Sequence, residues 1–242
     1  ESSPGETKWL EAENVVDIAR NFSEEYGIPI LVNLDHSEKL EDCIAGIEAG
    51  YDMIHFDGSK LPVEENLKIL RQVVELAHAK GLTCEGELDH IGGSSEVHSG
   101  AAGEEAGKVV KTDPEKAAQF VKESGIDIFA AFVGNVHGLY QGGEKNIDPE
   151  LVKRIADTTG LFLSLHGSSG IPDDQIKAAI QNGIVKINLN TEMRQAFHDT
   201  LENVLHKSPE EYAMYKVEQP VIDAIKAVVE RKIDLFGSAG KV

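Results

Sequence analysis

A chain of 242 residues, 41% of them hydrophobic, is long enough to bury one substantial core. Its 42 acidic residues against 23 basic ones give a net charge of −19, a surface that repels phosphate backbones and argues against nucleic acid as a partner. No run approaches the roughly 18 apolar residues that a membrane span requires, no secretory leader is evident, and the two cysteines suggest no disulfide framework, so a reducing cytoplasm is expected.

In chain order, hydrophobic periodicity predicts a helix around 11–26, a strand over 28–35 and a helix near 40–49. A strand at 53–57, a long amphipathic helix at 63–80 and a strand at 83–88 follow. Next comes a Gly/Ser-rich loop from 91 to about 107, then a helix at 114–124 and a strand at 126–133. The rhythm closes with a helix at 149–158, a strand at 161–166, a helix at 173–181, a strand at 184–188 and helices from 193 to 235. Gly125 and Gly160 each follow a helix, where a left-handed terminating residue is favoured. Strands alternating with helices of this length predict parallel βαβ units in one domain spanning 1–242. Only six strands are counted. The fold expected is therefore a (β/α)8 barrel lacking its first two strands in this N-terminally incomplete chain, with an open doubly wound sheet as the alternative.

Side chains along a strand alternate faces with a period of two. Parity groups Asn33 with Asp35, His55 with Asp57, Glu85 with Glu87 and Ser164 with His166, and Lys186 with Asn188 and Asn190. The interior of such a barrel is normally apolar, and burying so many polar groups is costly unless they are paired or bound to something. Their concentration toward strand C-terminal ends predicts an active site there. Of nine histidines, His36, His137 and His166 each close a predicted strand. Three imidazoles converging on one mouth with a coordination position left open form a catalytic zinc arrangement.

The segments NLDH (33–36), FDGSKLPVEEN (56–66), EGELD (85–89), GNVHG (134–138), LHGSSG (165–170), KINLNTEMRQAF (186–197) and LFGSAGK (235–241) occur together in this order. At these residues the chain resembles the class II fructose-bisphosphate/tagatose-bisphosphate aldolase family. The resemblance implies reversible aldol cleavage of a phosphorylated ketose to glycerone phosphate and glyceraldehyde 3-phosphate by a homo-oligomer, dimer or tetramer. It implies one catalytic Zn2+ on His36, His137 and His166, with Glu87 as an alternative metal ligand and Asp57 orienting from behind the site. Asp35 matches the acid that moves the C4 hydroxyl proton, and Asn188 a donor to the enediolate. Gly138, Gly167, Ser169, Asn190 and Thr191 match the phosphate-binding positions. The Gly138 and Gly167 carbonyls are expected to line a monovalent-cation (Na+ or K+) site. The 91–107 loop is expected to be a mobile lid, with Glu96 as its proton-moving carboxylate, one residue from the usual position.

Four departures leave the sugar open. Ser168 stands where a glycine is usual and is expected to crowd the phosphate. Asn190 replaces an aspartate or alanine, Asp89 replaces a glycine, and His55 is an unusual inward residue. Two further readings stay open. One makes Lys186 a Schiff-base lysine of a metal-free aldolase. The other is a non-catalytic barrel that binds zinc or a sugar phosphate.

Overall fold

The computed structural model describes residues 1–241. Ser3 and Glu6 form a reciprocal capping box that starts α1 (Pro4–Leu10), and α2 (Ala12–Tyr26) ends on the left-handed Gly27. The chain then runs through β1 (Asn33–Ser37), α3 (Leu40–Ala49), β2 (Met53–Phe56), α4 (Val63–Ala79), β3 (Thr83–Glu87), β4 (Gly93–His98) and α5 (Ala102–Ala106). It continues through α6 (Pro114–Ser124), β5 (Ile128–Ala130), β6 (His137–Tyr140), α7 (Pro149–Thr159), β7 (Phe162–Leu165), α8 (Asp173–Gln181), β8 (Ile184–Ile187), α9 (Thr191–Lys207) and α10 (Met214–Phe236).

Each crossover between main-sheet strands is too long for a hairpin, so the strands pair in parallel. The main sheet has the order β1-β2-β3-β5-β7-β8. This order follows the chain without reversal, as in a barrel wall, whereas a doubly wound sheet reverses at a switch point. The helices contact one another in sequence, α3 with α4, α4 with α6, α6 with α7 and α7 with α8, while α3, α4 and α8 also pack on strands. They therefore form one outer layer over a curled, half-barrel sheet. β1 and β8 remain its edges. Ser2 adds a single parallel bridge to Leu34, and Glu1 reaches Lys186 on β8 at 3.4 Å. No helix among the described residues is long and apolar enough to cross a membrane.

Three expected elements differ. β1 starts at Asn33 rather than at 28, because Pro29 has no N–H for a ladder and Leu31 stays 70% exposed. β5 stops at Ala130, because the Phe132 N–H is taken by Thr112 Oγ1 and the Val133 N–H by Asn135 Oδ1. The 91–107 segment is not structureless: β4 pairs in parallel with β6 (Gly93↔His137, Val97↔Leu139, His98↔Tyr140), and α5 follows.

Between sheet and helices, Ile54, Phe56, Leu70, Val73, Phe129, Ile155 and Leu163 are buried in one continuous core. Phe129 packs on Phe120 with ring centroids 6.1 Å apart. Phe129→Ala is expected to cost about 3–5 kcal/mol in urea unfolding, whereas Phe162→Ala, at a 63% exposed site, stays within about 0.5 kcal/mol.

Candidate active site and metal centre

The β1–β2 register slips between Leu34 and Ser37, and at this irregularity His36 adopts φ +50. A non-glycine residue in that conformation costs roughly 1–3 kcal/mol and marks a functional constraint. The irregularity breaks the alternation of faces, so the consecutive residues Asp35 and His36 both line the same cleft. His36 Nδ1 donates to Asp57 Oδ2 at 3.0 Å, which leaves Nε2 facing inward. Asp57 follows β2 directly and also accepts from the Ser59 N–H and hydroxyl at 3.1 and 2.6 Å. Burial opposes ionisation of Asp57, but His36, His55 and Ser59 outweigh it and hold the carboxyl well below the usual range.

His166, immediately after β7, is fully buried. Its Nε2 donates to Glu85 Oε1 at 2.8 Å, so the lone pair lies on Nδ1, 2.8 Å from His36 Nε2. Burial pushes the His166 imidazole down to about 4. Burial also opposes the charge on His36, but its bond to Asp57 raises its proton affinity above the ordinary value. Glu85 further accepts from Ser164 Oγ at 2.5 Å and pairs with Lys186 Nζ at 3.0 Å. Lys186, Glu85's neighbour across the interior, is raised against its own burial by Glu85 and Glu1. Its ammonium is engaged by Glu85 and by Asn188 Oδ1 at 2.6 Å, an arrangement that favours an ion-pairing role over an imine-forming one.

Asp35 accepts from Asn188 Nδ2 at 3.1 Å and lies 3.3 Å from His55 Nδ1. Burial works against its charge, yet the three neighbouring imidazoles keep it ionised, and its side chain remains 15% exposed. Glu87 is the opposite case. It is fully buried, and burial together with Asp57 pushes it well above the usual carboxylate range, with Ile91 N–H on Oε1 at 3.1 Å and no partner on Oε2. That unpartnered oxygen lies 3.8 Å from His36 Nδ1.

Two sets of donor atoms lie within 4.8 Å of one another: Asp35, His36, His55 and His166, and His36, Asp57 and Glu87. His137 belongs to neither set. Its ring stands 5.1 Å from that of His36 and 6.2 Å from that of His166, lines the cleft, and is kept neutral by burial. It opens β6 rather than closing β5, so the expected strand-end position is corrected. Imidazoles and carboxylates gathered in this way, with carboxylate partners fixing two of the rings, suit a zinc ion.

The cleft, about 990 Å³, continues past these side chains to Gly138, Gly167, Ser169, Asn190 and Thr191, all of which line it. Thr191 opens α9, whose first N–H groups and dipole favour an anion. Ser168 does not crowd this end: it is buried with its hydroxyl on Asn188 O at 2.6 Å, and it is absent from the cleft wall. Glu96 stands apart from the site. It is exposed on β4 with its carboxylate on Ser94 Oγ, and Ser95 lines the cleft instead. The cation expected under Gly138 and Gly167 meets a different arrangement, because the Gly167 carbonyl accepts from Lys145 Nζ at 2.7 Å. Lys145, the Ser164–Glu85 contact and the position of His55 among the donors were not anticipated from the residues. Only the period-two grouping hinted at the last two.

Glu85→Gln leaves Lys186 without its buried countercharge and is expected to cost about 3–5 kcal/mol in chemical unfolding. In a double-mutant cycle, Lys186→Met should recover much of that loss, since the two sites are in contact.

Comparisons with known proteins identify the family. A family profile described as fructose-bisphosphate aldolase class-II matches residues 1–241. A fructose-bisphosphate aldolase of Geobacillus stearothermophilus is 42% identical, the match covering 94% of this chain and 77% of that protein. One from Streptococcus pneumoniae serotype 4 is 39% identical, covering 100% of this chain and 84% of that one. The crystal structure of the YdjI aldolase from Escherichia coli K12 superposes with a TM-score of 0.81 at 30% identity, over 99% of this chain and 81% of that chain. The chain belongs to the class-II fructose-bisphosphate aldolase family.

Proposed function

We propose that this chain cleaves a ketose bisphosphate reversibly to glycerone phosphate and glyceraldehyde 3-phosphate, with fructose 1,6-bisphosphate as the first substrate to test and tagatose 1,6-bisphosphate as the second. The observation that carries the reading is the facing pair His36 Nε2 and His166 Nδ1, 2.8 Å apart, each with its other nitrogen on a buried carboxylate. Nitrogen atoms so aimed repel unless a proton or a cation lies between them. His36, His166 and His137 would hold one zinc ion, with Glu87 in reserve. When bound, the ion supplies a Lewis acid that draws electron density from the substrate carbonyl and lowers the barrier to breaking the C3–C4 bond.

Asp35 is the base for the C4 hydroxyl in cleavage and returns the proton in condensation. It is ionised, partly open to the cleft, and aimed by Asn188. The Asn188 amide, between Asp35 and His166, is placed to donate to the negative charge left on the three-carbon half. Gly138, Gly167, Ser169, Asn190 and Thr191 hold a phosphate at the α9 N-terminus, where the helix dipole favours an anion; Lys232 and Arg194 on the cleft wall are themselves paired with Glu192 at 2.7 Å and Glu6 at 2.9 Å. Glu192, the first acidic residue of α9, accepts from Gly170 N–H at 3.1 Å and fixes that loop relative to the helix.

The enzymatic reading is favoured over a non-catalytic zinc or sugar-phosphate binder by Asp35, held ionised although only 15% of its side chain is exposed. A mere binding site has no need of a base held there. Zinc-loaded protein should cleave fructose bisphosphate, lose activity in chelator and regain it on adding zinc. Asp35→Asn is expected to lower kcat by roughly 10²–10⁴-fold while zinc stoichiometry is unchanged. His166→Ala should lose the metal. Chelator-resistant turnover trapped by borohydride, or stoichiometric zinc with no cleavage of either sugar, would contradict the proposal.

A further inference from the structure

Lys145 lies in the polar run Gly142–Lys145 between β6 and α7, where a solvated ammonium is the ordinary outcome. Instead it is 2% exposed. Its Nζ donates to Val136 O at 2.5 Å and to Gly167 O at 2.7 Å. These carbonyls belong to the residue just before His137 and the residue just after His166. The two backbones touch here: a Cβ on Gly167, which has φ +62, would lie 2.4 Å from Val136 O and 3.0 Å from His137 N. Carbonyl oxygens converging on one space repel each other, and a cation between them turns that repulsion into attraction. Among the described residues no carboxylate pairs with Lys145, and its side chain does not line the cleft. The ammonium thus reaches the two carbonyls from beneath the site.

We infer that Lys145 is a positioning residue whose ammonium serves as a built-in monovalent cation, clamping the Val136 and Gly167 carbonyls and so fixing the strand ends that carry His137 and His166. A diffusible sodium or potassium ion is not needed at these carbonyls, because the tethered charge already fills their space. Burial pushes the lysine down to about 7 with Glu192 opposing, and the two carbonyl acceptors favour its protonated form. Direct contact with the substrate is a poorer account, since the donors point at the backbone rather than at the cleft. The consequence for catalysis rests on the metal reading above, but the clamp itself does not.

Removing the side chain should empty a carbonyl-lined chamber of cation size. The 242-residue chain is compared as wild type, Lys145→Ala and Lys145→Met in choline nitrate buffer, with thallium(I) as the probe. Lys145→Ala is expected to broaden the 205Tl resonance saturably, with potassium and ammonium competing, and to gain thermal stability on adding either ion. Wild type and Lys145→Met, whose chamber is filled, should do neither. Neither readout needs turnover, so failure of the clamp is separable from failure of the aldolase reading. In cleavage assays, Lys145→Ala should fall by roughly 10–100-fold in choline, as for a displaced catalytic frame, and recover with ammonium. Lys145→Met should fall without recovery. Wild type that binds thallium like Lys145→Ala and needs potassium for activity overturns the inference, and so does a folded Lys145→Ala that is fully active in choline. If Lys145→Ala does not fold, wild type alone decides: absent thallium binding and potassium-independent turnover support the clamp, and their opposites refute it.

Discussion

Buried carboxylates locked against imidazole nitrogens hold this site together, and most of the rest follows from that pairing. Asp57 on His36 and Glu85 on His166 each fix a ring, choose its tautomer and leave the other nitrogen aimed inward. Without those partners, the two inward nitrogens, 2.8 Å apart, would have no reason to face each other in a buried space. The arrangement is maintained by charge in depth. Lys186 balances Glu85 at 3.0 Å, Ser164 adds a hydrogen bond, and Ser59 supports Asp57 from the loop beyond β2. Removing one member strands another in a low-dielectric interior, which is why a polar floor of this kind behaves as a unit.

The same site shows two carboxylates driven apart by their surroundings. Asp35, beside three imidazoles and open to the cleft, stays ionised. Glu87, buried beside Asp57 with one oxygen unpartnered, is pushed well above the usual carboxylate range by burial and by Asp57. On the proposed reading, the first is the base and the second a carboxylate that a bound cation would ionise. Such a division of roles between similar groups is characteristic of acid–base sites.

Much of this was legible because barrel strands are read two residues at a time. A polar residue at an inward position is costly, so Glu85, Glu87, His55, Asp57, Ser164 and His166 announced themselves. The structure buries all six. The α/β rhythm likewise gave the parallel order of the main sheet. The reading failed where backbone geometry departs from regularity. Alternation assigns Asp35 and His36 to opposite faces; the slip in β1 sends both to the cleft, as the strand-end position of His36 had suggested against its parity. The β4–β6 ribbon was invisible because Gly93–His98 offers one large apolar residue, Val97, to alternate with. Lys145 was invisible for a different reason. Nothing local in a Gly-Gly-Glu-Lys run signals burial, since its two acceptors come from residues 136 and 167 of the folded chain. Glu96 failed because a spacing match cannot show which face of a newly formed strand a side chain takes.

The central claim is that nitrogen atoms of His36, His137 and His166 share one divalent ion. Zinc K-edge X-ray absorption of the stoichiometrically loaded chain tests it most directly, with His137→Ala as the comparison. The account predicts imidazole multiple scattering from three rings at about 2.0–2.1 Å, reduced to two in the variant. A spectrum dominated by carboxylate oxygens, or one unchanged by His137→Ala, would contradict it.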